Sequence, residues 1–100
     1  MVQPIQPEDI AEEFIKSIPP EVIESFNELI VLHFNGDSSV VLQAEVVERM
    51  LEKGLSRKDI YSRGWLNVES IYRKAGWSVD YDRPGYNEVY PAKFIFRHRG

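Results

Sequence analysis

The stretch DYDRPGYNE, residues 80–88, places three carboxylates around a Pro-Gly pair and so raises the question of a cation site. A calcium loop of the EF-hand type needs oxygen ligands at its first, third and fifth positions, glycine at the sixth and glutamate at the twelfth. Counted from Asp80, Asp82 and Gly85 satisfy this pattern, but the fifth position is Pro84 and the twelfth is Pro91. We therefore expect no metal site and no metal cofactor, with weak cation binding by Asp80 and Asp82 left open.

Residue types that support catalysis are sparse. The chain has no cysteine and two histidines, His33 at the end of an apolar helical face and His98 in the terminal RHRG. Carboxylate pairs at helical i, i+4 spacing, such as Glu24 and Glu28, lie on polar faces without a convergent apolar pocket. Motifs of the GxSxG, HExxH, P-loop and GxGxxG types do not occur. The sequence therefore predicts a protein that is not an enzyme, with no catalytic residues and no cofactor.

Charge is distributed unevenly along the chain. Residues 1–55 carry eleven acids and three bases, a net charge of −8, whereas residues 56–100 carry nine bases and five acids, a net charge of +4. A basic half suggests an anionic partner. The simpler explanation is that the two halves attract each other. The overall pI of about 5.1 favours this explanation over nucleic-acid binding, since it is low for a nucleic-acid-binding domain.

Apolar spacing predicts mainly helices up to residue 76. A first helix begins at Gln6-Pro7-Glu8-Asp9 and presents Ile10, Ala11, Phe14, Ile15 and Ile18 on one face. Pro19-Pro20 starts a second helix, whose apolar stripe is Val22, Ile23, Phe26, Leu29 and Ile30, and Asn35-Gly36 ends it. A short strand at about Ser39–Leu42 follows, then a helix over Gln43–Lys53.

Two shorter helices and a hairpin complete the prediction. Ser56 caps a short helix broken at Gly64, and Asn67 caps the next, in which Val68, Ile71, Tyr72 and Ala75 face inward. After Gly76 the period changes to two: Trp77, Val79 and Tyr81 alternate with Ser78, Asp80 and Asp82, and Ala92, Phe94 and Phe96 alternate with Lys93, Ile95 and Arg97. Arg83-Pro84-Gly85-Tyr86 fits a type II turn between these strands.

This order predicts a single α+β domain over residues 1–100, mainly helical at first and followed by a helix-turn-helix and a C-terminal β-hairpin. A helix, a strand, a helix-turn-helix and a hairpin describe a winged helix, in which the short first strand completes a three-stranded sheet. The extra short helix fits less neatly, and a generic small α+β domain is the alternative.

The predicted recognition helix and hairpin define the candidate site. Such a helix would enter a groove while basic residues of the hairpin contact phosphates. Glu69, on the same face, would repel phosphate. For nucleic acid or another partner we predict contacts by Asn67, Ser70, Arg73, Lys74, Arg83, Tyr86, Asn87, Lys93 and Arg97, with Arg57 and Lys58 also able to reach phosphates.

Aromatic residues offer a second possibility for the C-terminal third of the chain. Stacking on unpaired bases would require aromatic side chains on one exposed face beside arginine. The period-two spacing of Trp77, Tyr81, Phe94 and Phe96 instead favours a sheet core. Tyr86 and Tyr90, beside the turn, are therefore the aromatic residues expected to be exposed.

Two segments, IPPEVIESFNELI (residues 18–30) and GWLNVESIYRKAGWSVDYDRPGYNEVYPAKFIF (residues 64–96), are similar to short uncharacterised proteins of bacteriophage genomes. This resemblance carries no assigned activity or site residues. It implies a small phage accessory protein acting in the bacterial cytoplasm, either as a helix-turn-helix regulator or as an inhibitor of a host protein.

Our leading hypothesis is a non-enzymatic, winged-helix-like module that binds nucleic acid in a regulatory role. The alternative is a protein-interaction module that engages a host or viral protein through its acidic helices or its Tyr86–Tyr90 wing. A homodimer through the N-terminal helices is a third, based on Ile10, Phe14, Val22 and Phe26. No membrane partner is expected, since the N-terminus lacks a secretory pattern and the longest apolar run, LIVL, is short. A cytoplasmic protein is the expectation.

Overall fold

The computed structural model describes residue 4 and residues 14–98. Its elements, in chain order, are α1 Pro20–His33, β1 Ser38–Leu42, α2 Gln43–Glu52, α3 Arg57–Ser62, α4 Glu69–Lys74, β2 Trp77–Asp82 and β3 Lys93–His98. Residues 14–17 are also helical. The predicted helix start at Gln6-Pro7-Glu8-Asp9, together with Ile10 and Ala11, lies outside the described residues.

The first long helix begins at the Pro-Pro pair, as predicted. Pro20 occupies the first turn, where its missing N–H has no intrahelical partner to lose. The predicted stripe is buried at Val22, Phe26, Leu29 and Ile30. The helix ends at His33, and the Asn35 side chain then accepts from the backbone N–H groups of residues 37 and 38 at 3.0 and 2.9 Å, which turns the chain into β1.

Three antiparallel strands form one sheet in the order β1-β3-β2, so the predicted short strand completes the sheet with the hairpin. Two cross-strand rows, Val41–Phe94–Tyr81 and Ser39–Phe96–Val79, face the helices, because these side chains lie on one side of the pleat. The rows Leu42–Lys93–Asp82, Val40–Ile95–Asp80 and Ser38–Arg97–Ser78 lie on the opposite, open face.

Helix α1 packs across the inner face of the sheet and against α2. The Phe26 ring meets Phe94 edge-on at 5.1 Å and lies 6.1 Å from the Tyr72 ring. Tyr72 also contacts Phe96 at 5.2 Å and donates its hydroxyl to Asn27 Oδ1 at 2.7 Å, so it joins α4 to both α1 and the sheet. Edge-to-face aromatic pairs of this kind add about 0.5–1.5 kcal/mol beyond area burial.

The two short helices differ in how well the sequence predicted them. Ser56 Oγ accepts from the Asp59 N–H at 3.0 Å, which confirms the predicted cap of α3. The predicted Asn67 cap is wrong: α4 has Val68 at its N-cap position, without a side-chain cap. The chain turns through residues 63–66 first, and the Asn67 amide lies beside Gly64, where an added Cβ would meet it at 3.1 Å. Ala75, predicted to face inward, is exposed.

The predicted type II turn at Arg83–Tyr86 is also wrong. Gly85 does not have the positive φ that such a turn requires, and the reversal is instead centred on residues 86–87, with the Glu88 N–H bonded to the Gly85 carbonyl at 3.2 Å. The strands are therefore joined by a ten-residue loop, residues 83–92, and not by a tight hairpin turn.

The architecture is α+β, with helices followed by a three-stranded antiparallel sheet, and is loosely consistent with a winged helix. The correspondence weakens at the predicted recognition helix, which spans only Glu69–Lys74 and packs along β2. The apolar surface predicted for a dimer is also smaller, because Val22 and Phe26 are fully buried within a single chain and cannot contact a second copy. Within residues 14–98, no helix is long and apolar enough to cross a membrane.

Candidate functional site

Helix α4 exposes the predicted contact residues Ser70, Arg73 and Lys74. Arg73 is partly engaged within the chain, since its guanidinium donates to the Val79 carbonyl of β2 at 2.8 Å. Lys74 ends the helix next to the start of β2 and takes part in none of the ion pairs between described residues. This helix thus offers one free ammonium group and one partly occupied guanidinium.

The two predicted phosphate contacts on β3 lie elsewhere. Lys93 and Arg97 are on the open face of the sheet, away from the helical layer that contains α4. Arg97 pairs with Asp80 at 3.1 Å, and Lys93 lies 3.9 Å from Asp82. The structure therefore divides the predicted nucleic-acid set between the two sides of the sheet and neutralises part of it.

The acidic and basic halves of the chain interact little with each other in the described part of the structure. Arg57–Glu48, at 3.6 Å, is the ion pair there that joins residues 1–55 to residues 56–100. Other pairs form within one half, as Lys53 does with Glu28 at 2.9 Å. Hydrogen bonding by Lys53 lowers the pKa of the Glu28 carboxyl below its ordinary value. In residues 14–98, no group of three or more acidic or histidine side chains could hold a metal ion.

The loop of residues 83–92 contains Arg83, Tyr86 and Asn87 from the predicted set. The Tyr90 hydroxyl contacts Asp82 Oδ1 at 2.9 Å and the Arg83 carbonyl at 2.7 Å, which closes the base of the loop. The hydrogen bond to Asp82, together with burial, raises the pKa of Tyr90 to about 12. Near the tip, Glu88 accepts from the Gly85 N–H at 3.1 Å. Side-chain hydrogen bonds therefore hold this loop in shape.

The tip of the loop displays apolar side chains. Tyr86 and Val89 have relative exposures of 102% and 101%, so neither contacts the rest of the domain appreciably. At its base the loop leaves the sheet at Asp82 and returns at Lys93, which is paired with Leu42 on the open face. Leu42 and Val40 are 38% and 43% exposed there, beside the half-buried Ile95. On the open face, these three partly exposed apolar side chains lie beside Lys93 and Asp82, which are the last paired residues before the loop.

Asn67 and Arg83 meet at a different place, a cleft between the helices and the end of β2. Sequence reasoning did not identify two further lining residues, Gln43 and Tyr61. They lie in α2 and α3, far from Arg83 in sequence, and no local pattern marks them. The single signal available was Tyr61 itself, an aromatic residue on the exposed side of a short helix.

No protein-family model matches the chain, and neither a curated protein nor a solved structure is significantly similar to it.

Proposed function

We propose that this protein is a non-enzymatic interaction module that binds another protein through the tip of the loop of residues 83–92. The observation that carries the proposal is the full exposure of Tyr86 and Val89 on a loop held by its own side-chain hydrogen bonds. Tyrosine is enriched in protein interfaces and at the residues that dominate binding energy. Arg83 adds a second interface-type side chain to the same loop.

The order of the loop supports this proposal as much as its composition does. A loop that is fixed only on binding loses conformational freedom at that step, and the loss weakens binding. The bonds made by Tyr90 and Glu88 already restrict the loop at its base and near its tip. We infer that the partner surface is apolar at its centre, where it would meet Tyr86 and Val89 at the tip of the loop. We infer polar groups at its edge, because the ion pairs Asp82–Lys93 and Asp80–Arg97 lie on the sheet beyond the base of the loop.

Nucleic-acid binding by the predicted recognition helix is the competing proposal. Lys58, Lys74 and Arg83, which form no ion pairs with described residues, favour it. Two features of Lys93 and Arg97 weaken it. Both residues lie on the open face of the sheet, away from α4, and both are paired with aspartates there. Phosphate contacts need cations grouped on one face.

The test compares three tagged proteins expressed in bacteria: wild type, a loop variant Tyr86→Ser/Val89→Ser, and a control variant Val31→Ser/Leu32→Ser. The control makes the same kind of change at side chains that are 77% and 63% exposed on α1. We expect wild type and the control to capture the same bacterial protein, and the loop variant to recover about tenfold less of it. The purified partner should then bind the three proteins in the same order of affinity. Equal capture by all three proteins contradicts the loop proposal.

A second arm addresses nucleic acid directly. Labelled duplex and single-stranded DNA are titrated at salt concentrations from about 50 to 200 mM, a range over which phosphate-driven binding weakens steeply. We expect the protein to show no such salt-dependent binding to the duplex. A steep salt dependence together with weakening by Lys74→Ala would replace the protein-binding proposal with the nucleic-acid one.

A further inference from the structure

A cleft of about 240 Å³ opens between α3, the turn after it, α4 and the end of β2. Its apolar lining includes the buried side chains of Ile60 and Phe94 and two partly exposed tyrosines, Tyr61 and Tyr81. The Tyr81 ring lies over Phe94, with centroids 4.8 Å apart and an interplanar angle of 34°. Its hydroxyl donates to Gln43 Oε1, which fixes the orientation of the ring. The Tyr81 side of the cleft is thus an aromatic wall whose position is set before any ligand enters.

Polar groups of both charges surround this aromatic wall. Asn67, Glu69 and Arg83 line the cleft, and neither Glu69 nor Arg83 takes part in the ion pairs between described residues. The pKa of the Tyr81 hydroxyl is raised above its ordinary value, chiefly by burial, with Arg83 lowering it and Tyr61 and Glu69 raising it. The cleft can therefore donate hydrogen bonds from an amide and a guanidinium and accept them at a carboxylate.

The size of the cleft limits what it can hold. Sites for drug-sized molecules usually enclose about 300–1,000 Å³. A volume of about 240 Å³ accommodates a single ring system with its substituents. A flat ring with donors and acceptors on its edge matches the lining better than an aliphatic group, since aromatic faces favour stacking and the rim is polar.

We propose that this cleft binds the base of a nucleotide, stacked against Tyr61 and Tyr81, with its polar edge towards Asn67 and Glu69 and its phosphate near Arg83. Base binding needs aromatic side chains on an accessible face beside arginine, and in this cavity two tyrosines line the same space as the Arg83 guanidinium. A carboxylate accepts from an exocyclic amino group, as of cytosine, so Glu69 disfavours uracil. A free nucleotide and an unpaired nucleotide in a strand present the same chemistry.

The test is a titration of the isotopically labelled protein with CMP, AMP, GMP and UMP at low salt, followed by amide chemical shifts. We expect saturable shifts centred on Tyr61, Asn67, Glu69 and Tyr81, with UMP binding most weakly. Tyr61→Leu should weaken binding by about tenfold, because one base–aromatic stack is lost from a half-exposed position. Tyr86→Leu, the matched change at the exposed loop tip, should leave the affinity unchanged, so this result is independent of the protein-binding test.

Three further arms sharpen the outcome. Glu69→Gln should reduce the preference for CMP over UMP, and Arg83→Gln should remove any advantage of CMP over cytidine. A cytidine tetranucleotide that binds more than about tenfold tighter than CMP assigns the ligand to a strand, and equal affinity assigns it to the free nucleotide. Absence of saturable shifts in the cleft with every nucleotide overturns the proposal. So does equally tight binding of N-acetyltryptophanamide, which would assign the cleft to an aromatic side chain.

Discussion

Replacement of Tyr72 by phenylalanine tests how α4 is held on the rest of the domain. The hydroxyl donates to Asn27 Oδ1 at 2.7 Å and lies 3.3 Å from the Ile23 carbonyl, while the ring is 5% exposed among Phe26 and Phe96. Tyr72→Phe keeps the ring and removes the hydroxyl. Asn27 is exposed, so water can replace the lost donor, and the cost should be that of one ordinary hydrogen bond, about 1 kcal/mol.

Truncation of the same residue should cost much more. Tyr72→Ala also removes the aromatic contacts and leaves a cavity, for which losses of about 3–5 kcal/mol are typical. That is a large part of the total of about 5–15 kcal/mol expected for a small domain. Urea unfolding of wild type, Tyr72→Phe and Tyr72→Ala measures both values, and Tyr61→Phe is the control, since Tyr61 is half exposed. A cost above about 3 kcal/mol for Tyr72→Phe would contradict the assumption that its acceptors are rehydrated.

The pH dependence supplies a second, independent reading of Tyr72. Burial raises the pKa of its hydroxyl well above the ordinary value of 10.0, so the folded state resists ionisation. Wild type therefore keeps its full free energy of unfolding below about pH 10. Above that pH the tyrosine ionises in the unfolded state, and the free energy of unfolding falls by up to about 1.4 kcal/mol per pH unit. The stability difference between wild type and Tyr72→Phe should therefore shrink and then reverse above about pH 10. Parallel pH profiles of the two proteins would refute the reasoning.

Three further substitutions test local features of the chain by urea unfolding. Gly64→Ala should lower the free energy of unfolding by about 1–2 kcal/mol, because φ is +68° there, and a loss near zero would contradict the need for glycine. Ser56→Ala should cost about 1 kcal/mol by removing the cap of α3, and an unchanged midpoint would show that water replaces it. Lys53→Gln should destabilise the protein at neutral pH and low salt. That loss should disappear at acidic pH, because Lys53 lowers the pKa of Glu28 in the folded state. The resulting stabilisation is present above about pH 4.5 and is lost as the pH falls through the pKa of Glu28 in the folded protein. A loss that does not depend on pH would point to packing instead.

The elements of this fold follow from local sequence patterns more closely than their connections do. The stripe of α1, the strand near Ser39–Leu42 and the cap at Ser56 were all predictable, because each depends on residues adjacent along the chain. The turn after β2 was not, since the conformation of Gly85 depends on Glu88 and on Tyr90 at the base of the loop. Turn rules describe four consecutive residues and do not include such bonds.

The candidate sites show the same division. Tyr86 and Tyr90 were both expected to be exposed because they lie beside the predicted turn; Tyr86 is exposed, whereas Tyr90 is half-buried, because its hydroxyl bonds to Asp82 and to the Arg83 carbonyl. The cleft could not be anticipated, because Gln43, Tyr61 and Tyr81 come from three different elements and meet only after the helices have packed on the sheet. Lys93 and Arg97 were placed on the correct strand, and their alternation with Phe94 and Phe96 already implied a face directed away from the core, but the predicted set of phosphate contacts did not take this alternation into account.

The position of β3 between β1 and β2 has a consequence for how the chain folds during synthesis. Val40 pairs with Ile95, so β1 must wait for about 55 further residues before its neighbour exists. Until then β1, and later β2, lack their hydrogen-bonding partner, next to helices whose apolar faces have no sheet to cover them. Shortening the chain before Lys93 would leave β1 and β2 with no strand between them, and fragments of this kind should aggregate. Co-translational folding of this domain is therefore expected to be a late event, triggered when β3 becomes available.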